Sequence, residues 1–192
     1  MEASTSDRIA VAALEILESE GSAAVSMRRV AQAVGITPMA IYHHFASREA
    51  LLDAVTEREF AHFVEYLEKV RGAESREDFF LDMAMAYVEY ALDRPRVFEY
   101  VFAAPRPSAR RFPQDFRERK SPSLNLVADL VAKNMENGYL KKHDVWETAF
   151  TTTAHTHGYI TLYLGGRIDL EPDAFRSLVR RSLRRILDGL KA

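Results

Sequence analysis

An all-α fold follows from three observations. Apolar residues recur at three- and four-residue spacing along nearly the whole chain, Ser, Thr or Asp stands ahead of most of these stretches, and glycine or proline punctuates their ends. The pattern predicts about nine helices. It is densest at residues 26–45, which read as two short helices around a glycine turn. Ser26 can cap a helix whose apolar side carries Val30, Ala31 and Val34. Gly35 fits the position just past its end, where a left-handed backbone is favoured. Thr37 is a good N-cap and Pro38 a good first residue for the next helix. So tight a turn makes the second helix cross the first steeply and leaves its outer face free for a DNA major groove.

The other elements follow in order. From Asp7 to Glu20, Ile9, Ala12, Ala13, Ile16 and Leu17 mark a first helix closed by Gly21. It is expected to pack under the next two around Val25, Val30, Val34, Ile41 and Phe45. Ser47 caps a long helix whose stripe of Leu51, Leu52, Val55, Phe60, Phe63, Val64 and Leu67 runs to about Val70. Its length suits a mechanical link to the remainder. Gly72–Ser75 interrupts the pattern, and Ser75-Arg-Glu-Asp78 reads as a capping box for a helix to about Asp93. Pro95 starts a shorter helix through Val97, Phe98, Val101 and Phe102. Pro105, Pro107 and Pro113 are then expected to prevent regular structure.

The stretch 104–120 also holds Arg106, Arg110, Arg111, Arg117, Arg119 and Lys120, a basic loop that reads either as a solvated connection or as a second contact for DNA or an acidic ligand. Ser121-Pro122 opens a helix with Leu126, Val127, Leu130, Val131 and Met135 inward and Gly138 as its stop. Residues 145–164 carry many β-branched threonines, yet twenty residues without a turn signal favour a helix capped by Asp144. The last helix, Pro172 to Leu190, puts Phe175, Leu178, Val179, Leu183, Ile186, Leu187 and Leu190 on one stripe, with Arg176, Arg180, Arg181, Arg184 and Arg185 largely away from it.

Composition narrows the function classes. With 47% hydrophobic residues in 192, the chain has ample material for a packed core. A formal net charge of −2 removes bulk electrostatic affinity for nucleic acid, so any DNA contact must be local. The absence of cysteine excludes disulfides, thiolate zinc sites and cysteine nucleophiles, and fits a reducing compartment. The N-terminal residues lack the character of a targeting segment, and no stretch is apolar enough to span a membrane, so the expected location is cytoplasmic. No Gly-rich phosphate loop, nucleophile elbow or evident carboxylate pair is present, and neither a catalytic nor a metal site nor a cofactor is expected.

The order Ile9 to Leu52, with Gly21, Ser26-(x)₃-Val-Ala-(x)₂-Val-Gly35-Ile-Thr, Ile41-Tyr42-x-His44-Phe45 and Arg48-Glu-Ala-Leu-Leu52, resembles the DNA-binding domain of the tetracycline-repressor (TetR) family of bacterial regulators. His157-Gly158 with Leu162 and Gly165 is similar to the penultimate helix of one common subclass. The resemblance implies an all-helical homodimer, with residues 1–46 as a helix-turn-helix domain, 47–71 as a connecting helix and 72–192 as an effector-binding and dimerisation domain. By position it implies that Arg28 reads a base edge or phosphate, and that Thr37, at the start of the recognition helix with Pro38, contacts phosphate as Tyr42 does. Met39 and Ala40 would touch thymine methyl groups, His43 phosphate or base, and Arg48 a phosphate at the next helix start. Arg29 is expected to face solvent, and His44 to pack or cap.

The same resemblance implies a double-stranded operator, a homodimer and a small-molecule effector as partners. Phe79, Met83, Met85, Tyr87, Phe98, Phe102, Trp146 and Phe150, with His157, are candidates for an adaptable apolar pocket, although core packing also accounts for them. Ala154, Gly158, Thr161, Leu162, Leu183, Ile186, Leu187 and Leu190 are the candidate dimer surface. Two other readings stay open. One is a regulator of the same fold controlled by a protein partner. The other is a metal-dependent enzyme using His155 and His157 with His143 or Glu147, for which helical geometry is unfavourable because residues two apart diverge.

Overall fold

Helices alone, with their turns, build the computed structural model, which describes residues 4–69 and 76–192. Among the described residues there are ten α-helices and no strand beyond an isolated bridge between Leu140 and Lys191. They are α1 (Thr5–Glu20), α2 (Met27–Val34), α3 (Pro38–Tyr42), α4 (Arg48–Lys69), α5 (Arg76–Asp93), α6 (Pro95–Phe98), α7 (Gln114–Arg117), α8 (Pro122–Glu136), α9 (Val145–Leu164) and α10 (Pro172–Leu190). A 3₁₀ turn, Ser22–Ala24, precedes α2, and a π turn, Glu99–Ala103, continues α6. The helix beyond the expected nine is α7. It forms where prolines were expected to prevent regular structure, because Pro113 takes its N-cap, where a missing N–H costs no intrahelical bond. The break at Gly72–Ser75 and the capping serine, Ser75, lie outside the described residues.

Two compact units result. The first takes the chain as far as His62 together with Arg94–Ser108, and the second takes Phe63–Asp93 and Ala109–Ala192. The division falls inside α4 rather than at either end of it, and a segment remote in sequence is added to the first unit.

Side-chain chemistry explains that addition. Glu59 of α4 is only 3% exposed. Nη1 of Arg94 donates to its carboxylate at 2.5 Å, while Nε of Arg94 donates to Glu18 of α1 at 2.8 Å. Arg96 donates to the backbone carbonyls of Glu18 and Ser19 at the end of α1. One guanidinium thus joins α1, α4 and the entry to α6, and a buried carboxylate is tolerated because a cation accompanies it. The core of this unit is Ile9, Ala13, Leu17, Val30, Ala31, Ile41 and Leu51, with Val97 and Phe98 from the added segment. Val34 and Phe45, expected in that core, are half-buried at its rim.

The second unit is centred on Leu81, Val88, Ala91, Val131, Ala149, Ile160, Phe175 and Val179, all without solvent exposure. The threonines of α9 do not divert it into a strand. Thr148, Thr152 and Thr156 are buried, and their hydroxyls donate to backbone carbonyls a turn earlier, at 2.8 Å to Asp144, 3.0 Å to Ala149 and 3.2 Å to Thr152. On α8 the inward side is rotated from expectation: Leu124, Ala128, Leu130, Val131, Asn134 and Met135 are buried, whereas Leu126 and Val127 are half-buried. Arg176 forks onto Glu89 at 2.6 and 2.7 Å, and Arg180 reaches Asp82 at 2.8 Å, tying α10 to α5.

Replacing Arg94 by Met should lower the unfolding free energy by about 3–5 kcal/mol, because the Glu59 carboxylate would stay buried without that guanidinium. Urea unfolding of the wild type and the variant measures this, and a loss under about 1 kcal/mol would refute the role given to the buried pair.

Candidate nucleic-acid interface

The turn between α2 and α3 closes as its residue types dictate. Ser26 accepts from the Arg29 N–H at 3.3 Å, opening α2. Gly35 adopts φ 76°, ψ 31°, a left-handed conformation natural to glycine, and the Ile36 N–H reaches back to the Ala31 carbonyl at 3.0 Å. Thr37 then accepts from the Ala40 N–H at 3.2 Å and Pro38 takes the first turn of α3.

On α3 one side is anchored and the other is open. Ile41 has no solvent exposure, while Met39 is 71% and Tyr42 51% exposed. Thr37, Pro38 and His43 are also exposed and Ala40 is half-buried. His44, expected to pack or cap, is exposed as well. Arg28 projects from α2 into solvent and, among the described residues, has no hydrogen bond or ion pair within the chain. The predicted contact residues of α2 and α3 therefore share an accessible surface character.

Arg48 is placed differently from the expected phosphate anchor. Its Nε donates to the Val25 carbonyl at 2.7 Å and its Nη2 to the Ser22 carbonyl at 2.5 Å, so the fork engages the turn ahead of α2. Arg29 does not simply face solvent either. It donates to both carboxylate oxygens of Glu20, at 3.0 and 2.5 Å, and to the Ala24 carbonyl at 3.3 Å. That hydrogen bonding holds the exposed Glu20 carboxyl below its ordinary range and raises Arg29. Sequence reasoning also missed Arg8, which donates to the Val34 carbonyl at the end of α2 at 3.0 Å. No periodicity announces such links, since each joins residues far apart along the chain or across a turn.

The candidate pocket residues separate into groups. Met83 and Tyr87 are buried on α5, and the Tyr87 hydroxyl lies 3.0 Å from Nδ1 of His157 on α9. Burial drives the Tyr87 phenol far upward and the His157 imidazole downward, so a neutral ring accepting the phenolic proton suits both. Phe98 and Phe102 belong to the first unit, where Phe102 meets Phe60 at 5.1 Å and Phe98 at 5.6 Å. Phe150 is 38% exposed and stacks on Phe112 at 4.6 Å. Trp146 is half-buried with Arg119 5.9 Å from its ring, and Phe79 and Met85 are half-buried.

Of the candidate dimer residues, Leu183 and Leu187 are corrected. They are 2% and 1% exposed and fill the interior of the second unit. Ala154, Thr161 and Leu162 are exposed, whereas Gly158, Ile186 and Leu190 are half-buried.

Three cations of the basic loop meet carboxylates, while Arg106 donates to the Val101 carbonyl. Arg117 pairs with Asp144 and Arg119 with Asp129, both at 2.9 Å, and Lys120 lies 3.0 Å from Asp115 and 2.7 Å from Glu118. Nor do His155 and His157 converge: His155 meets the Tyr159 ring edge-on at 5.0 Å, whereas His157 faces Tyr87. Among the described residues no group of three or more His, Cys, Asp or Glu is placed to hold a metal, and no helix is long and apolar enough to cross a membrane.

Residues 9–55 match the family model for bacterial regulatory proteins of the tetR family, and residues 80–186 match that for the tetracyclin repressor-like C-terminal domain. The chain belongs to the tetR family. It is thus a TetR-family helix-turn-helix transcriptional regulator. The transcriptional regulator UidR of Escherichia coli K12 is 39% identical over 141 residues, covering 71% of this chain and 67% of that one. A Rhodococcus sp. RHA1 protein of unknown function superposes with TM-score 0.81 at 25% identity over 100% of this chain and 97% of that one. The transcriptional regulator FadR of Bacillus subtilis, solved in complex with stearoyl-CoA, shares the fold at TM-score 0.74 and 16% identity, over 92% and 96% of the two chains.

The half-buried His157 imidazole, lowered by desolvation, predicts a pH dependence of stability. With the folded His157 pKa below its ordinary 6.5, the unfolded chain binds more protons as pH falls through that range, so stability rises with pH. The melting temperature should fall from about pH 7.5 to about pH 5, and His157→Gln should flatten part of the slope. Thermal melts followed by circular dichroism test this, and identical slopes for the two proteins would contradict it.

Proposed function

We propose that this regulator binds a palindromic DNA operator as a homodimer, represses the adjoining promoter, and is released by a small, largely apolar or aromatic effector. The observation that carries the reading is the division of α3 between a fully buried Ile41 and the open Met39 and Tyr42. A helix held from behind and free in front can enter a major groove with its N-terminal residues against base edges. Arg28, Thr37, Pro38, Met39, Ala40, Tyr42 and His43 form the contact set, with Arg28 reading a base and the hydroxyls of Thr37 and Tyr42 fixing register on phosphates.

Support for the dimer comes from α9, which carries one formal charge, Glu147, in twenty residues. Its exposed residues include Ala154, Thr161 and Leu162, and a Cβ built on Gly158 meets nothing within 4 Å. A second copy would cover this apolar surface, and two-fold symmetry would set two recognition helices one duplex turn apart. Repression follows most simply because a dimer seated on a promoter obstructs polymerase without needing any other surface.

The effector half of the reading rests on the hydrogen-bonded Tyr87–His157 pair, a polar element among buried apolar side chains, and on the stearoyl-CoA held by FadR. A ligand that binds one conformation better shifts the dimer towards it and moves its recognition helices out of register. The cytoplasm, where the operator lies, is the corresponding location.

Selection of bound duplexes from a random pool should yield a palindrome. Arg28→Ala should then cost about 1–3 kcal/mol of discrimination at one base pair of each half-site. A pool enriched without two-fold symmetry would overturn the operator reading. Leu162→Arg should convert dimer to monomer in light scattering while leaving the helical spectrum intact, and a variant that stays dimeric would remove α9 from the interface.

A further inference from the structure

The first 62 residues contain five arginines and no lysine. Four of the five guanidiniums are engaged within the chain: Arg8 on the Val34 carbonyl, Arg29 on Glu20 and Ala24, Arg48 on Ser22 and Val25, and Arg58 on Asp7 at 3.3 Å. Of these arginines only Arg28 has a side chain that bonds to no other described residue. Arg29 and Arg58 meet carboxylates, whereas Arg8 and Arg48 keep their charge and direct their donors to carbonyls, so an arginine in this stretch is not by default a phosphate contact.

Arg48 is the informative case because its fork is planar and its acceptors are fixed. The Ser22 carbonyl already closes the 3₁₀ turn by accepting from the Val25 N–H at 3.2 Å, and the Val25 carbonyl lies one residue before the N-cap of α2. Nε and Nη2 of Arg48 reach these two oxygens from the first residue of α4. Charge-assisted bonds to two carbonyls define both the distance and the rotation of the turn relative to α4, which a single ammonium does not. We infer that Arg48 is a positioning residue for DNA recognition: its guanidinium sets the turn at Ser22–Val25, and with it the angle at which α2 and α3 are presented, and it neutralises no phosphate. The inference rests on the operator reading for its consequence and on the intramolecular geometry for its cause.

Three forms of the full-length protein test it: wild type, Arg48→Lys and Arg48→Ala, assayed on the selected duplex across salt concentrations. Positioning requires the fork, so both variants should weaken binding by about tenfold or more, lysine giving no rescue. The slope of log affinity against log salt should stay at the wild-type value in Arg48→Ala. A phosphate contact would instead reduce that slope by about 0.9 per half-site and would be largely restored by lysine, and either result overturns the inference. Amide hydrogen exchange of peptides spanning residues 22–34 supplies a readout that needs no DNA. Faster exchange in both variants is expected, and unchanged exchange refutes the assignment. Should Arg48→Ala fail to fold, Arg48→Lys, which keeps most of the stem, carries both readouts. A wild-type protein that selects no duplex removes the operator reading, and the exchange comparison then decides Arg48 alone.

Discussion

A helix of five residues does not sustain itself in water, because closing its first turn fixes many dihedral angles for very few hydrogen bonds. Everything that holds α3 in shape is therefore supplied from outside it. Thr37 satisfies one free N–H, Pro38 presets a backbone angle, and Ile41 roots the helix in the core. The remaining requirement is that the support stay still. The guanidiniums of Arg8, Arg29 and Arg48 meet it by binding carbonyls at the end of α2 and along the turn ahead of it. Helix termini and tight turns leave carbonyl lone pairs open to a further donor, and arginine is well suited to gather them.

Local chemistry was legible in the sequence and distant chemistry was not. The caps at Ser26 and Thr37, the left-handed Gly35 and the extents of α9 and α10 could be read because each depends on residues within about two turns. The roles of Arg48 and Arg29 could not, since a charged side chain beside a motif looks the same whether it faces solvent or a carbonyl. Leu183 and Leu187 teach the same lesson for apolar residues. A helical stripe shows which side is buried, but not whether the burying surface belongs to the same chain or to a partner.

The second unit shows how composition can mislead about element type while spacing corrects it. Threonine favours strands when its branched side chain packs on a pleated surface. At Thr148, Thr152 and Thr156 the four-residue interval puts all three on one buried side of α9, where each hydroxyl finds a carbonyl of its own helix. The helix consequently hides polar atoms in its interior face without requiring partners from α8 or α10. Arginines 176 and 180, by contrast, hold α10 through carboxylates of α5, so side-chain ion pairs lie outside an apolar centre that contains none of them.

Arg94 and Arg96 make the N-terminal unit dependent on residues that follow α5. Its sequence is consequently not a detachable module, although it looks like one. A reader domain transplanted from this protein onto another family member would leave behind the cation that accompanies Glu59, together with Val97 and Phe98 from the centre of the unit. Exchange of the N-terminal unit between such regulators must then carry the 94–108 segment along with the helices it completes.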